Sequence, residues 1–364
     1  MNTLRLFKIV TCARSLPAFL AVAILAVGAF ARAETCTTQS GLAPADRDAI
    51  ASAARDLAAK VIANNTAALH SLSVVELAKD FGNFQYLVTV TAPKLAGGIP
   101  AVEQVYLLDA TNLKRNADGT APDAQFFCSL NRSTMEAEFD IPALPPGKYA
   151  FAMITVAPPP GAGIPAPWRL SFLMRQEPVP QAPTGKPQPT WMIAGFYPRP
   201  LTANGHDGLW YWTRARQMSK DKQPWNSWLF YQEARKLLQP ADFVLSTHLD
   251  KLHSETSDAA PPALSDGVNV DAPLVVKAAD GAEYHVIGLG VDDSLPESSP
   301  DIALHLRVDP LPDQAAARRR NTAAAAALLA AYPELRNPFH GVGVSAEALG
   351  QVPFTTEQPM AEIK

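Results

Sequence analysis

The chain has 364 residues, of which 48% are hydrophobic and 18% are charged, and its formal net charge is −4. This balance is ordinary for a globular protein with length for about two domains. It argues against a nucleic-acid partner, because phosphate binding needs clustered lysines and arginines and the only basic run is Arg318–Arg320. We interpret that run as the solvated face of a helix, since alanines flank it on both sides.

A secretory signal peptide is predicted at residues 1–33. Basic residues precede an apolar run of fifteen residues from Leu16 to Phe30, and Ala31, Arg32 and Ala33 form a small-residue cleavage box. These are the three parts of a signal peptide, and the apolar run is short for a membrane-spanning helix. We therefore expect cleavage after Ala33 and a periplasmic or secreted bacterial protein without a membrane span. A retained membrane anchor is the alternative.

Two cysteines, Cys36 and Cys128, follow the predicted cleavage site. In an oxidising compartment, a pair of cysteines favours one disulfide bond. Two separate free thiols are the alternative. Neither cysteine has neighbours that would lower its pKa, so a nucleophilic role is not favoured.

Residues 34–200 are predicted to form a helix plus a β-sandwich-like domain. Apolar residues recur at spacings of three and four from Ala45 to Leu69, which predicts an amphipathic helix. The pattern from Leu72 to Val90 fits both a helix and a strand, and the choice stays open, although a helix that leads into a strand is favoured. The six strands predicted next are residues 102–108, 125–130, 134–141, 150–156, 168–175 and 190–197.

The cleanest predicted strand, from Thr134 to Ile141, alternates between apolar and polar residues, so that one face is buried and the other, including Glu136, is wet. A turn at Pro145-Pro146-Gly147 then leads to the next strand, and we expect these two strands to be antiparallel neighbours. The stretch Thr134–Val156 resembles the strand corner of immunoglobulin-like and transthyretin-like sandwiches. That resemblance implies a fold, not an activity. The proline-rich connection from Glu177 to Pro189 is predicted to be a surface loop.

A helical hairpin is predicted from Gly205 to Pro240, where four of the six tryptophans fall within nineteen positions. Asp207 is a suitable N-cap for the first helix, and Pro224 is placed to begin the second. A short helix capped by Ser246 follows, and we assign residues 201–256 to this central unit.

The hairpin resembles a single tetratricopeptide-type repeat. Aromatic and small residues occupy the positions typical of that repeat in both helices, and a proline follows; these residues are Tyr211, Ala215, Ser227, Tyr231, Ala234 and Pro240. The proline comes one position late, alanine replaces the usual glycine at Ala215, and no second copy follows. Because such repeats bury a core by stacking, we expect this hairpin to pack on neighbouring domains. The resemblance implies peptide binding.

A linker is predicted at 257–272 and a small α+β unit at 273–364. Strands are predicted at 274–277, 283–289, 302–308 and 341–345, with an alanine-rich helix at 314–332 that packs on one sheet face. The predicted fold class is therefore α+β: an N-terminal helix plus a β-sandwich-like sheet, a central helical hairpin and a small C-terminal α+β unit.

The aromatic residues of the hairpin are interpreted either as packing core or as a surface for an envelope protein, a peptide or a glycan. The candidate binding residues are Trp210, Tyr211, Trp225 and His206. On this basis we predict a non-catalytic binding or scaffolding protein of the bacterial cell envelope. The sequence leaves the identity of its partner and its oligomeric state open.

Enzyme motifs give little support for catalysis. The chain has no metalloprotease, nucleophile-elbow or phosphate-loop motif. His248 and His253 do not share a helix face, so no metal site is predicted, and no cofactor is predicted either. His285 and His305 lie in predicted strands and are interpreted as packing residues. His206, beside Asp207 at a helix start, is the best acid–base candidate, and a hydrolase-like envelope enzyme centred on it is the alternative function.

Overall fold

The computed structural model describes residues 34–129, 135–158, 166–180, 185–264, 268–292, 300–310 and 313–364. The predicted signal peptide, and the predicted strand ends Leu130 and Thr134, lie outside these ranges. The helices are α1 Pro44–Ile62, α2 Thr66–Ser71, α3 Val75–Lys79, α4 Gly82–Thr91, α5 Gly208–Lys220, α6 Pro224–Leu238, α7 Thr247–Asp258 and α8 Gln314–Ala331. The strands are β1 Thr35–Thr38, β2 Ile99–Asp109, β3 Ala124–Ser129, β4 Met135–Ile141, β5 Lys148–Ala157, β6 Trp168–Pro180, β7 Pro187–Pro200, β8 Thr202–Ala203, β9 His206–Asp207, β10 Val244–Leu245, β11 Leu274–Lys277, β12 Glu283–Asp292, β13 Asp301–Arg307, β14 Gly341–Glu347 and β15 Phe354–Pro359. This content confirms the α+β class.

The N-terminal helical region differs in detail from its prediction. The helix predicted from Ala45 to Leu69 ends at Ile62, because Asn64 has a positive φ of 50° that a helix cannot contain. Asn65 then caps α2 through a hydrogen bond that its side chain accepts from the backbone N–H of Ala68.

The ambiguous stretch from Leu72 to Val90 is helical, as α3 and α4. Phe84 and Val88, which are four positions apart, are buried, whereas Tyr86 between them is 70% exposed. A strand would have placed all three on one face, so burial at helical spacing decides the outcome.

A five-stranded antiparallel sheet with the order β1-β2-β5-β6-β7 forms the centre of the N-terminal half. One face packs on α1 and α4 through residues such as Leu57, Phe84 and Phe172. The opposite face packs on a second sheet with the order β10-β4-β3, where Phe139 and Phe151 meet edge to face. Two sheets in face-to-face contact are the arrangement of a sandwich.

The prediction that the strands flanking Pro145-Pro146-Gly147 are neighbours in one sheet is wrong. Strand β4 pairs with β3 and β10, whereas β5 pairs with β2 and β6. Gly147 exchanges backbone hydrogen bonds with Ala110 at the end of β2, which fixes the start of β5 in the larger sheet. The turn therefore carries the chain from one sheet to the other.

The proline-rich connection predicted as a surface loop from Glu177 to Pro189 is mostly a strand ladder. Strands β6 and β7 remain paired as far as Pro180 opposite Pro187, with Pro178 opposite Pro189. These prolines face each other in pairs at alternate positions of a two-stranded ribbon. Proline is tolerated there because the N–H groups at such positions point away from the partner strand.

The C-terminal sheet has the order β11-β12-β13-β14-β15 and is antiparallel except for the parallel pair β13–β14, which α8 connects. As predicted, α8 packs on one face, where Leu304 and Val344 meet Ala324 and Leu328. The edge strand β15 was not predicted.

The helical hairpin forms as α5 and α6. The Asp207 side chain accepts a 2.8 Å hydrogen bond from the backbone N–H of Trp210, and Pro224 is the first residue of α6, as predicted. Ser246 caps α7, which extends to Asp258 and so occupies the beginning of the predicted linker. The aromatic residues of the hairpin and the apolar face of the C-terminal sheet belong to one continuous hydrophobic core.

Candidate functional site

Two of the four predicted binding residues lie in the core. Tyr211 is fully buried, and its hydroxyl donates to the carbonyl of Ala203. Trp225 is 5% exposed and packs on Tyr332 with ring centroids 4.1 Å apart. Both side chains therefore stabilise the packing of the hairpin on its neighbours, which leaves little of either available to a partner.

The other two predicted residues stack on each other. The His206 and Trp210 rings are nearly parallel, at an interplanar angle of 5°, with centroids 3.7 Å apart. Trp210 is 37% exposed, and the preceding residue, Leu209, is 60% exposed. This end of α5 is the part of the predicted site that faces solvent.

Next to this end of α5 lies a cleft of about 470 Å³, which we call the hairpin cleft. Its walls come from the hairpin, the start of α7, β10, β4 and the sheet strands β2 and β5. The lining residues are Tyr106, Glu136, Ala137, Phe151, Met153, Leu209, Trp212, Leu238, Pro240, Val244, Leu245, Ser246, His248 and Leu249. Its volume is typical of small-molecule sites, and its lining is mainly apolar. His206 is not among the lining residues.

One carboxylate, that of Glu136, lies in this apolar lining. The pairing of β3 with β4 passes from Cys128 opposite Ala137 to Ser129 opposite Met135, so Glu136 is the extra residue of a β-bulge. A bulge redirects a side chain from the face that strict alternation predicts. The prediction that Glu136 lies on the wet face of its strand is therefore wrong, and the residue is only partly exposed.

The two oxygens of the Glu136 carboxylate have different surroundings. Oε1 accepts hydrogen bonds from Gln104 Nε2 at 2.7 Å and from the Tyr106 hydroxyl at 3.0 Å. Oε2 is buried and accepts no hydrogen bond from the described residues, and no described cation forms an ion pair with this carboxylate. Burial, and then the charge of Glu136, raise the pKa of Tyr106 well above its ordinary value, so this hydroxyl keeps its proton.

The geometry favours a ligand that donates a hydrogen bond to Oε2 of Glu136 and places apolar groups against Leu238 and Leu249. A buried acceptor without a partner costs roughly 1 to 3 kcal/mol, and more if it is charged, and a donor from a ligand would recover that free energy. Sequence reasoning missed Glu136 because its redirection depends on the pairing of two strands, and no local pattern reveals it.

The two cysteines form the predicted disulfide. Cys36 in β1 and Cys128 in β3 are bonded, with their Cα atoms 5.1 Å apart. The bond joins the two sheets of the sandwich and is the kind of cross-link found in oxidising compartments.

The described residues contain no helix long and apolar enough to cross a membrane. They also contain no cluster of three or more metal-ligating side chains. Comparison with known proteins adds nothing to these findings, since no protein family, no curated protein and no solved structure matches the chain.

Proposed function

We propose that this chain is an exported, non-catalytic binding protein of the bacterial cell envelope and that the hairpin cleft holds its ligand. The observation that carries the proposal is the buried Oε2 of Glu136, which has no described partner in an otherwise apolar cleft. The disulfide between Cys36 and Cys128 supports export, and the N-terminal pattern of residues 1–33 predicts it.

The proposed ligand is an ammonium group on an apolar body. An ammonium matches the charge of Glu136 as well as its free acceptor, and a charge-assisted hydrogen bond is about twice as strong as a neutral one. The apolar body would cover the side chains of Leu238, Val244 and Leu249. Because the cleft opens beside the exposed Leu209, the same chemistry admits a lysine-containing peptide, in line with the peptide partner predicted from the hairpin.

Calorimetric titration with n-octylammonium and with neutral 1-octanol tests this proposal. We expect octylammonium to bind at least tenfold more tightly than octanol, because only the ammonium neutralises Glu136. Glu136→Gln should remove most of that preference. Glu138→Gln is the matched control, since Glu138 lies on the same strand and accepts its hydrogen bond from Gln125 outside the cleft. Equal affinities for the two ligands, or unchanged binding in Glu136→Gln, would contradict the proposal.

The hydrolase-like alternative centred on His206 stays a prediction. It requires a substrate position beside an imidazole that is stacked on Trp210. Hydrolysis of ester or peptide substrates would favour this alternative over the binding role if it is lost in His206→Ala and retained in the neighbouring control Asn204→Ala.

A further inference from the structure

A second and larger cleft, of about 1050 Å³, lies at one end of the C-terminal sheet. We call it the sheet cleft. It is lined by the first turns of α8, the start of β12, and the ends of β13 and β14. Its charged and polar lining includes Arg320 on α8, His285 on β12 and Arg307 on β13, and apolar side chains such as Leu306 and Val308 also line it.

Arg320 differs from the other two members of the basic run. Arg318 and Arg319 are exposed, as predicted for a solvated helix face, whereas Arg320 is half-buried against the sheet cleft, so the prediction is wrong for this residue. Its guanidinium donates through Nη2 to Oδ1 of Asn321 at 2.8 Å. Its Nε is buried and donates to no described residue.

Arg320 has no described carboxylate as a partner. Two of the acidic residues at the cleft are already paired elsewhere, Glu283 with Lys277 at 2.7 Å and Glu347 with His305 at 3.0 Å. Asp309 also lines the cleft and is exposed. Burial lowers the pKa of Arg320, which is the direction expected for a cation that loses water without gaining an anion.

A further feature supports an anion at this position. Asn321, which accepts a hydrogen bond from Nη2 of Arg320, is fully buried and donates from Nδ2 to the Val344 carbonyl and to Thr356 Oγ1, so the guanidinium has a fixed support. A preorganised donor of this kind is what a bound anion requires. His285 does not contribute to this position, because its strand neighbours Tyr284 and Val286 face the core under α8 and its own side chain therefore lies on the other sheet face.

We propose that Arg320 forms an anion-binding site that takes the carboxylate of an organic acid with an apolar body. The guanidinium would pair with the carboxylate, and the apolar body would contact Ile287, Leu306 and Val308 along the cleft. A small inorganic anion would leave these apolar side chains uncovered, which is why the structure favours an organic acid. This site is independent of the hairpin cleft, since the two clefts share no lining residue.

Titration of the full chain with octanoate, acetate and inorganic phosphate tests the proposal. Octanoate should bind more tightly than the other two anions, and Arg320→Gln should weaken its binding at least tenfold. Arg319→Gln is the matched control, because Arg319 is the neighbouring exposed arginine of the same helix.

A second measurement separates binding from a structural role. If Arg320 is retained for an anion, octanoate should raise the melting temperatures of the unmodified chain and of Arg319→Gln but not that of Arg320→Gln. Each protein is compared with itself without ligand, so any stability that Arg320→Gln loses through its changed contact with Asn321 does not enter the comparison. An equal rise in Arg320→Gln, phosphate binding as tight as octanoate binding, or unchanged octanoate binding in Arg320→Gln would overturn the proposal.

Discussion

Nε1 of Trp212 donates a 2.7 Å hydrogen bond to Oε2 of Glu255, which joins the first hairpin helix to α7. The same carboxylate accepts two further hydrogen bonds from Arg216, at 2.7 and 2.8 Å, and the Arg216 guanidinium lies 4.5 Å from the centre of the Trp212 ring. This cluster fixes α7, the start of which forms one wall of the hairpin cleft. The cleft therefore depends on a polar contact between one of its lining residues, Trp212, and Glu255, which does not line it.

The first prediction concerns Glu255→Gln, which should lower the free energy of unfolding at pH 7 by about 1 to 2 kcal/mol, since it weakens charge-assisted hydrogen bonds to a partly exposed arginine. The hydrogen bond from Arg216 lowers the pKa of Glu255 below its usual value. Because folding lowers this pKa, the ionised carboxylate stabilises the folded state at pH values above the pKa of the unfolded chain, about 4.3. That stabilisation is lost as the pH falls through the pKa of the folded state.

Urea denaturation at pH 7 and pH 3 measures this effect. The difference between the unmodified chain and Glu255→Gln should be present at pH 7 and shrink at pH 3. Asp258→Asn, on the same helix, is the control and should change stability by less than about 0.5 kcal/mol. A difference that stays constant with pH would show that the charge of Glu255 is not responsible.

The second prediction separates the two roles considered for the hairpin tryptophans. Trp225→Ala should cost about 3 to 5 kcal/mol, because it leaves a cavity beside Tyr332 and removes a large buried side chain. Trp210→Ala should cost less, about 1 to 2 kcal/mol, since Trp210 is 37% exposed and touches the core through the rings of Tyr211 and Phe230 while it stacks on His206. Guanidinium denaturation of both variants checks the ranking. Similar losses would mean that Trp210 is also a core residue.

The third prediction concerns the disulfide. Cys36 and Cys128 are 92 positions apart, and closing a loop of that length stabilises the folded state by about 4 to 5 kcal/mol in the loop-entropy model. The double variant Cys36→Ala/Cys128→Ala should therefore unfold at a clearly lower denaturant concentration. Addition of dithiothreitol should destabilise the unmodified chain by a similar amount and leave the double variant unchanged. If the reductant destabilises both proteins equally, the loss of stability does not come from cleavage of this disulfide.

The fourth prediction tests the domain boundaries placed around 257–272. A chain that ends at residue 264 lacks the C-terminal sheet, and so the hairpin loses the partners of Trp225 and Phe230. We expect the amides of α5 and α6 to exchange hydrogen rapidly in this fragment and slowly in the full chain. Strong protection in the fragment would show that the central unit folds without the C-terminal sheet.

Local signals account for the features that the sequence predicted well. Asp207, Pro224 and Ser246 each act within one helical turn, so the start of each helix could be predicted from a few neighbouring residues. Strands β2, β5, β6 and β7 of the larger sandwich sheet contain apolar runs and were also predicted, whereas the polar strand β1 was not.

Pairing between distant segments accounts for the features that were missed. Strand β15 has few apolar residues and is defined by its ladder with β14, and the position of Glu136 follows from a bulge that forms only when β3 and β4 pair. Arg320 could not be distinguished from Arg319 because its burial depends on strands that lie elsewhere in the sequence. Both clefts therefore arise from contacts that no local pattern contains.

The core shared by the hairpin and the C-terminal sheet has a consequence for how the chain is synthesised. The backbone N–H of Trp225 donates to Glu334, which is 109 positions later, and Phe230 packs on Phe339. At ribosomal rates of roughly 5 to 20 residues per second, about 5 to 20 seconds pass between the synthesis of the hairpin and the synthesis of these partners. During that interval the aromatic side chains of the hairpin lack these partners, and we expect this exposed apolar surface to favour chaperone binding or aggregation until the C-terminal sheet has formed.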